Sequence, residues 1–214
     1  MNLIGSQTLE TERLILRRSN MEEQKCLWEI LMIPEVNKWY LVSGKKHANE
    51  PEYWKWDNQE KFYKYKVENA NNTDVFVWSI FLKPEYTDDF KEKVIGQITE
   101  QEKSDDISIR DVGWYIDPTY WNRGYAYEAA SAMLKYMFEK VEIDKIESCA
   151  VKENFGSCRL FEKLGFEKTG EVTHESDYTF YDGILIYSLY QMNKKLYFEN
   201  KKVKELKKRI ITYI

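Results

Sequence analysis

The sequence has little cysteine and histidine, few residues that break regular structure, and no long apolar run. Its 214 residues include three Cys, two His, four Pro and nine Gly. The cysteines show neither CxxC spacing nor an even count, which argues against a disulfide framework or a structural zinc site. We expect all three thiols to be buried as small apolar groups. The longest uncharged run, residues 183–193, is shorter than the ~20 residues needed to cross a bilayer. We therefore expect no bound metal and no transmembrane segment.

The remaining composition is that of a folded protein. Hydrophobic residues make up 43% of the chain and charged residues 32%, which excludes a disordered or collagen-like chain. The length suits one domain with an appendage. The first ten residues lack a basic start and an apolar stretch, so we expect no signal peptide and a cytoplasmic location.

The net charge of −4 is unevenly distributed along the chain. Residues 193–214 contain eight Lys and Arg against two Glu, a net +6, so residues 1–192 carry −10. An acidic body repels nucleic acid, and we expect no DNA partner. Apolar residues recur at helical spacing in the basic tail, namely Leu196, Val203, Leu206, Ile210 and Tyr213. We expect a domain over 1–192 and a basic amphipathic helix over 193–214. This helix would dock on its own domain or on a second copy in a homodimer, or alternatively bind an anionic surface.

Hydrophobic patterning predicts a mixed α/β sheet domain. A helix is expected at 20–33, closed by Pro34, since proline disfavours helix in the residue before it. A short helix should end at Leu164, with Gly165 as its left-handed cap. Further helices are predicted at 51–69 and 126–138, and strands at 9–18, 75–82, 94–100, 111–117, 145–151, 166–175 and 183–192.

Residues 111–138 combine a strand, a proline stop, a glycine-containing turn and an amphipathic helix. Gly124 allows the backbone to approach a ligand closely, and the first N–H groups of the following helix lack intrahelical partners. Such a helix start binds phosphate, and Arg123 would add a charge-assisted contact. An ordinary helix entry explains the same residues, so this turn alone does not decide between the two.

A second stretch favours the ligand-binding interpretation. Asn154 follows a strand and precedes a short helix, where a capping amide is expected, and Ser157 falls in the first turn of that helix. Taken together, the two stretches resemble the GCN5-related N-acetyltransferase family, in the branch typified by ribosomal-protein N-terminal acetyltransferases. That family carries a Gln/Arg-x-x-Gly-x-Gly/Ala turn, which matches residues 121–126 here, with Trp121 in the first place as this branch often has. The resemblance extends over residues 9–192 and includes the segments Thr11–Leu14, Asn154–Ser157 and Glu162–Phe166.

The resemblance implies a fold and a co-substrate. The fold is a GNAT-type mixed, splayed sheet of about six to seven strands flanked by helices. Acetyl-CoA would lie between two diverging parallel strands, with its pantetheine arm along 112–117 and the Ile116 N–H facing the oxyanion. The residues implied to bind it are Ile116, Asp117, Asn122, Arg123, Gly124, Tyr125, Ala126 and Asn154.

The resemblance also implies direct attack of a primary amine on the thioester. Many relatives donate a proton to the leaving thiolate from a Tyr at the position of Phe161, which has no proton to give. The branch's alternative donor is Ser157, although this residue would equally serve only to bond the helix start. Glu175 is the implied base, with His174, Glu100 or water as alternatives. The acceptor would be a peptide N-terminus or a small cationic amine. A non-catalytic acyl-CoA-binding module of the same fold is the rival interpretation.

Overall fold

A computed structural model of the chain describes residues 1–40, 50–69, 71–103, 106–175 and 183–212. Within these ranges the chain forms one eight-stranded sheet in the spatial order β1-β2-β3-β4-β5-β6-β8-β7. Neighbouring strands are antiparallel except β5 and β6, which are parallel. The strands are β1 (Leu9–Glu10), β2 (Leu14–Arg17), β3 (Phe76–Leu82), β4 (Lys93–Glu102), β5 (Ile109–Ile116), β6 (Lys145–Val151), β7 (Glu167–Glu175) and β8 (Ile184–Asn193).

Helices cover both faces of this sheet. Those in the described ranges are α1 (Met21–Leu31), α2 (Pro34–Tyr40), α3 (Trp56–Glu68), α4 (Tyr125–Tyr136), α5 (Phe155–Leu164) and α6 (Lys194–Thr212). A π-helical turn over Met137–Val141 prolongs α4. One core packs β2–β6 and β8 against α4 and α5, and a second, smaller core contains residues of α1, α2, α3 and β5. Strand β3 lies between β2 and β4, and six of its seven residues are buried. This position explains why every residue of β3 except Ser79 is apolar.

Three predicted elements differ from the structure. The helix predicted over 51–69 occupies only Trp56–Glu68, because residues 51–55 form turns instead. The opening strand is split into β1 and β2, because the Thr11 hydroxyl accepts a hydrogen bond from the Leu14 N–H at 3.0 Å and closes a turn. This split accounts for an eighth strand. Pro34 does not merely close α1: it is the first residue of α2, a position where its missing N–H costs nothing.

The cysteines also differ from expectation. Cys26 and Cys149 are exposed and Cys158 is half-buried, so the prediction that all three thiols are buried is wrong. On α1, helical periodicity turns Leu27 inward and leaves Cys26 outside. On β6, Cys149 alternates with the buried Ala150 and lies on the opposite face of the strand.

The first half of α6 packs onto the α/β domain. The ring of Tyr197 stacks on Phe138, with 4.8 Å between centroids. The Tyr197 hydroxyl and the Lys201 ammonium group both donate to the Glu139 carboxylate, at 2.6 and 2.7 Å. The predicted stripe is partly outside the description, which excludes residue 213 and the side chains of 206 and 210. No helix in the described ranges is both long and apolar enough to span a membrane.

Candidate active site

The parallel strands β5 and β6 diverge and leave a cleft between them. Their register contains two pairs, Ile109 with Lys145 and Arg110 with Ile146. Farther along, a side chain replaces the backbone pairing: the Ser148 hydroxyl donates to the Val112 carbonyl at 2.9 Å. On their other edges, β5 stays paired with β4 as far as residue 116, and β6 stays paired with β8 as far as residue 151. The cleft therefore opens beyond Val112.

One edge of β5 presents its backbone groups to this cleft. The Asp117 N–H donates to the Ile95 carbonyl of the β4 side at 2.8 Å. Successive residues of an extended strand direct their N–H and C=O groups to alternate edges, so residues 112, 114 and 116 face the cleft. The Trp121 indole donates to the Ile116 carbonyl at 2.6 Å. The N–H and C=O of Trp114 and the N–H of Ile116 are therefore the groups available to pair with a ligand strand.

The turn between β5 and α4 is held in an unusual backbone conformation. The Asp117 carboxylate accepts hydrogen bonds from the N–H and the hydroxyl of Thr119, both at 2.8 Å. Asn122 and Gly124 have positive φ angles of 59° and 82°. Asparagine and glycine tolerate this left-handed region, whereas most residues pay a steric cost there. The positive φ angles of the turn therefore explain why asparagine and glycine stand at these two positions.

The start of α4 provides a set of unpaired N–H donors. Gly124 is the residue before the helix and has no side chain to cap it. The Gly124 carbonyl accepts from the Glu128 N–H at 3.0 Å, which leaves the N–H groups of Tyr125, Ala126 and Tyr127 without intrahelical partners. Arg123 is exposed at this end of the helix. Together with the helix dipole, these donors make the start of α4 suited to binding an anion.

The start of α5 lies directly after the strand on the other side of the cleft. The Asn154 side chain accepts a hydrogen bond from the Ser157 N–H at 3.2 Å and caps the helix, as its position in the sequence predicts. Ser157 is half-buried in the first turn. Its hydroxyl makes no hydrogen bond to any residue that the structure describes. Ser157 therefore takes part in capping the helix through its backbone N–H and not through its side chain.

Phe161 is part of the aromatic core beneath the cleft. It is 2% exposed. Its ring lies 4.6 Å from the ring of Trp114 on β5 and 4.7 Å from the ring of Tyr190 on β8, measured between centroids. The aromatic ring at this position therefore packs the two sides of the splayed sheet against α5.

The three candidate bases lie in different environments. Glu100 faces Val112 in the β4–β5 register, at the base of the cleft, where it is buried and forms an ion pair with Arg110. Burial raises the pKa of Glu100 to about 7, although the hydrogen bond from Arg110 opposes this shift. His174 and Glu175 lie on β7, which is separated from β6 by β8. Neighbouring strands are ~4.8 Å apart, so β7 runs about 10 Å from β6. Ser157 thus follows β6, which borders the cleft, whereas β8 lies between β6 and the strand that carries His174 and Glu175.

Three residues of the site, Trp114, Trp121 and Arg13, make contacts that the sequence did not predict. The Trp121 indole contact with Ile116 and the packing of Trp114 against Phe161 both depend on partners that a single sequence does not identify. The resemblance included Trp121 only as a substitute for a polar residue, and gave Arg13 no role. Arg13 contacts the turn directly, since its guanidinium donates to the Arg123 carbonyl at 3.0 Å.

Comparisons with known proteins agree with this geometry. A family model described as an acetyltransferase (GNAT) domain matches residues 13–167. The uncharacterized N-acetyltransferase YnaD of Bacillus subtilis is 26% identical over 166 residues, which cover 76% of this chain and 84% of that protein. Mycobacterium smegmatis RimJ, solved in complex with CoA-disulfide, has a TM-score of 0.67 and 16% identity, covering 87% of each chain. Mutant forms of the spermidine/spermine N-acetyltransferase SpeG from Vibrio cholerae have a TM-score of 0.67 and 17% identity, covering 89% of this chain and 99% of that one.

The structural neighbours share the fold, and the family model extends over most of the chain. An open strand edge beside an anion-binding helix start fits the acyl donor of this family, acetyl-CoA. The chain therefore belongs to the GNAT family of acetyltransferases and is an acetyltransferase.

Proposed function

We propose that this chain transfers the acetyl group of acetyl-CoA to a primary amine in the cleft between β5 and β6. The observation that carries the proposal is the placement of the open β5 edge beside the start of α4. A thioester donor with a peptide-like arm and a pyrophosphate needs both features at once. RimJ of M. smegmatis, which shares this fold, was solved with a CoA-derived ligand, and this supports the choice of ligand.

The pyrophosphate would bind at residues 122–126. The N–H groups of Gly124, Tyr125 and Ala126 supply the donors, and the exposed Arg123 supplies a positive charge. Asp117 would act indirectly, because its carboxylate holds the turn through Thr119. Asn154 uses its side-chain oxygen to cap α5, which leaves its amide NH2 group as the donor that would contact the cofactor.

The pantetheine arm would lie along the open edge of β5. Its amides would pair with the N–H and C=O of Trp114, as an added strand pairs with a sheet edge. The N–H of Ile116 is the next donor along this edge and would stabilise the negative charge that develops on the thioester oxygen. The Trp121 indole N–H donates a hydrogen bond to the Ile116 carbonyl at 2.6 Å, so this peptide is held in place before the ligand binds.

The chemistry that follows requires two proton transfers. A neutral amine attacks the thioester carbon, the C–N bond forms, and the C–S bond breaks to release the CoA thiolate. We propose that the Ser157 hydroxyl donates a proton to the thiolate, since this hydroxyl has no other partner in the described part of the chain. The proton lost from the amine would pass to Glu175. Because β8 separates β7 from β6, a water molecule would have to relay this proton from the amine in the cleft to Glu175. His174 and Glu100 are the alternative acceptors.

The acceptor would be a peptide N-terminus or a small cationic amine. The net charge of −10 over residues 1–192 favours cationic acceptors near the protein. SpeG, which shares the fold, is described as acting on spermidine and spermine, whereas other neighbours are ribosomal-protein acetyltransferases.

A turnover screen tests this function. The full chain would be incubated with acetyl-CoA and separate sets of peptides, polyamines and aminoglycosides, and acetylated products identified by mass spectrometry. We expect an N-acetylated product in one set, with release of one CoA per acetyl group transferred. CoA binding without any product would support the rival interpretation, a non-catalytic acyl-CoA-binding module. An absence of CoA binding would contradict both.

A further inference from the structure

One arginine side chain contacts the residues on both sides of Gly124 in the turn before α4 and lies next to Gly124 itself. The Arg13 guanidinium donates through Nη1 to the Arg123 carbonyl at 3.0 Å. Its Cζ lies 4.3 Å from the centroid of the Tyr125 ring. A Cβ atom placed on Gly124 would lie 3.4 Å from Arg13 Nη2. Arg13 therefore underlies the whole bend from residue 123 to residue 125.

Glu128 fixes this arginine in place. Its carboxylate accepts hydrogen bonds from Arg13 Nε at 2.7 Å, from the Arg13 N–H at 2.8 Å and from the Thr11 hydroxyl at 2.6 Å. Glu128 belongs to the first turn of α4, while Thr11 and Arg13 belong to the turn between β1 and β2. The side-chain exposures of Arg13 and Glu128 are 27% and 17%, so the pair is partly shielded from solvent. Two segments 115 residues apart are thus joined at the start of the helix.

The contact with Arg123 has a consequence for the next N–H group. In a trans peptide the C=O and the following N–H point in opposite directions. Because the Arg123 carbonyl points at Arg13, the N–H of Gly124 must point away from Arg13, to the side of the turn where the phosphate would bind. Without Arg13, this peptide plane can rotate more easily about ψ of Arg123 and φ of Gly124, because glycine accepts φ angles of either sign.

We propose that Arg13, held by Glu128, is a positioning residue that orients the peptide between Arg123 and Gly124 for the pyrophosphate of CoA. This inference rests on the proposed function, since it assigns a role within the same site. The role requires the forked guanidinium, because one side chain must bond Glu128 and the Arg123 carbonyl at the same time. A lysine retains the charge but has no fork.

The test compares Arg13→Met and Arg13→Lys with a control variant, Arg17→Met, each made in the full chain. Arg17 lies on β2, has a similar side-chain exposure of 29%, and forms an ion pair with Glu23 at 2.7 Å. CoA affinity would be measured by calorimetry, pantetheine affinity by ligand-observed NMR, and stability by thermal unfolding. Pantetheine lacks the pyrophosphate, so a change in the turn should leave its binding unaltered.

We expect Arg13→Met to raise the Kd for CoA about tenfold, the value of one charge-assisted hydrogen bond, with pantetheine binding unchanged. Arg13→Lys should not restore affinity, and Arg17→Met should lower the melting temperature without changing either Kd. Should Arg13→Met fail to fold, Arg13→Lys and Glu128→Gln carry the same comparison.

Three results would overturn the inference while leaving the proposed function intact. One is CoA binding to the Arg13 variants as tight as to the wild type. A second is an equal loss of affinity for CoA and for pantetheine, which would indicate general damage to the fold. A third is full rescue by lysine, which would show that charge alone matters. Failure of the wild-type protein to bind CoA would instead refute the proposed function.

Discussion

The turn before α4 allows a sharp test, because its backbone conformation requires glycine at position 124, whereas a lack of room for a side chain does not. Gly124 has a φ angle of 82°, and among the described residues a Cβ atom there would meet the Arg13 guanidinium alone, at 3.4 Å. Gly124→Val should therefore be accommodated sterically and still be strained. A left-handed conformation costs a residue with a Cβ about 1–2 kcal/mol, and a β-branched side chain lies at the upper end. The two valine methyl groups would also crowd the N–H donors that face the phosphate.

Gly183→Val is the matched control. Gly183 has a φ angle of 98°, and a Cβ atom there would meet no atom of the described residues within 4 Å. We expect both variants to lose about 1–2 kcal/mol of unfolding free energy in a denaturant titration. Only Gly124→Val should weaken CoA binding by more than about tenfold, which corresponds to at least ~1.4 kcal/mol of binding free energy. Calorimetric titration with CoA at a temperature where both variants are folded separates the two effects.

A folded Gly124→Val protein that binds CoA as tightly as Gly183→Val does would contradict this role of Gly124. Such a result would mean that the pyrophosphate does not approach the backbone at this turn. Equal loss of affinity in both variants would also refute it, because the effect would then follow from strain in general.

Three further predictions concern catalysis, pH and the tail. Ser157→Ala should lower kcat by roughly 10²-fold, which is the effect expected for the loss of a general acid, and should change CoA affinity little. A loss of CoA affinity at constant kcat would instead show that Ser157 only contacts the cofactor. Burial raises the pKa of Glu100 from 4.5 to about 7, so the folded state holds a proton that the unfolded chain has already lost. The stability that this raised pKa contributes is fully present below pH 4.5 and is lost as the pH rises through about 7. The difference in unfolding free energy between wild type and Glu100→Gln should therefore change between these two pH values and stay constant outside them. Deleting residues 195–214 should lower the melting temperature, because it removes the stacking of Tyr197 on Phe138, and should leave CoA binding intact. A truncated protein with an unchanged melting temperature would show that the docking of α6 contributes nothing.

Features that depend on neighbours in the chain could be predicted from the sequence. Gly165 has the left-handed conformation expected of a helix cap, with a φ angle of 96°. The N–H of Phe166 donates to the Phe161 carbonyl at 3.0 Å, and the ring of Phe166 folds back onto Phe161, at 5.0 Å between centroids. Strand β6 begins and ends at the predicted residues. In each case a few adjacent residues determine the backbone.

Features that depend on distant partners could not be predicted. The cleft exists because β6 leaves β5 after two residue pairs, and nothing in either strand sequence marks this point. Arg13 and Glu128 meet across 115 residues of chain. The exposure of Cys149 depends on the neighbours of β6 in three dimensions, whereas composition alone predicts a buried thiol. The roles of Ser157 and Glu175 stay predictions, because they concern bound substrates.

The most direct test of the central claim is to map CoA on the protein by amide chemical shifts. The isotope-labelled full chain would be titrated with CoA, and shifts of assigned backbone N–H signals recorded. We expect the largest changes at Trp114 and Ile116 on the cleft edge of β5, and at Gly124, Tyr125 and Ala126 at the start of α4. Changes concentrated elsewhere, for example in the shallow groove between Gly165 and α6, with these five amides unmoved, would contradict the central claim.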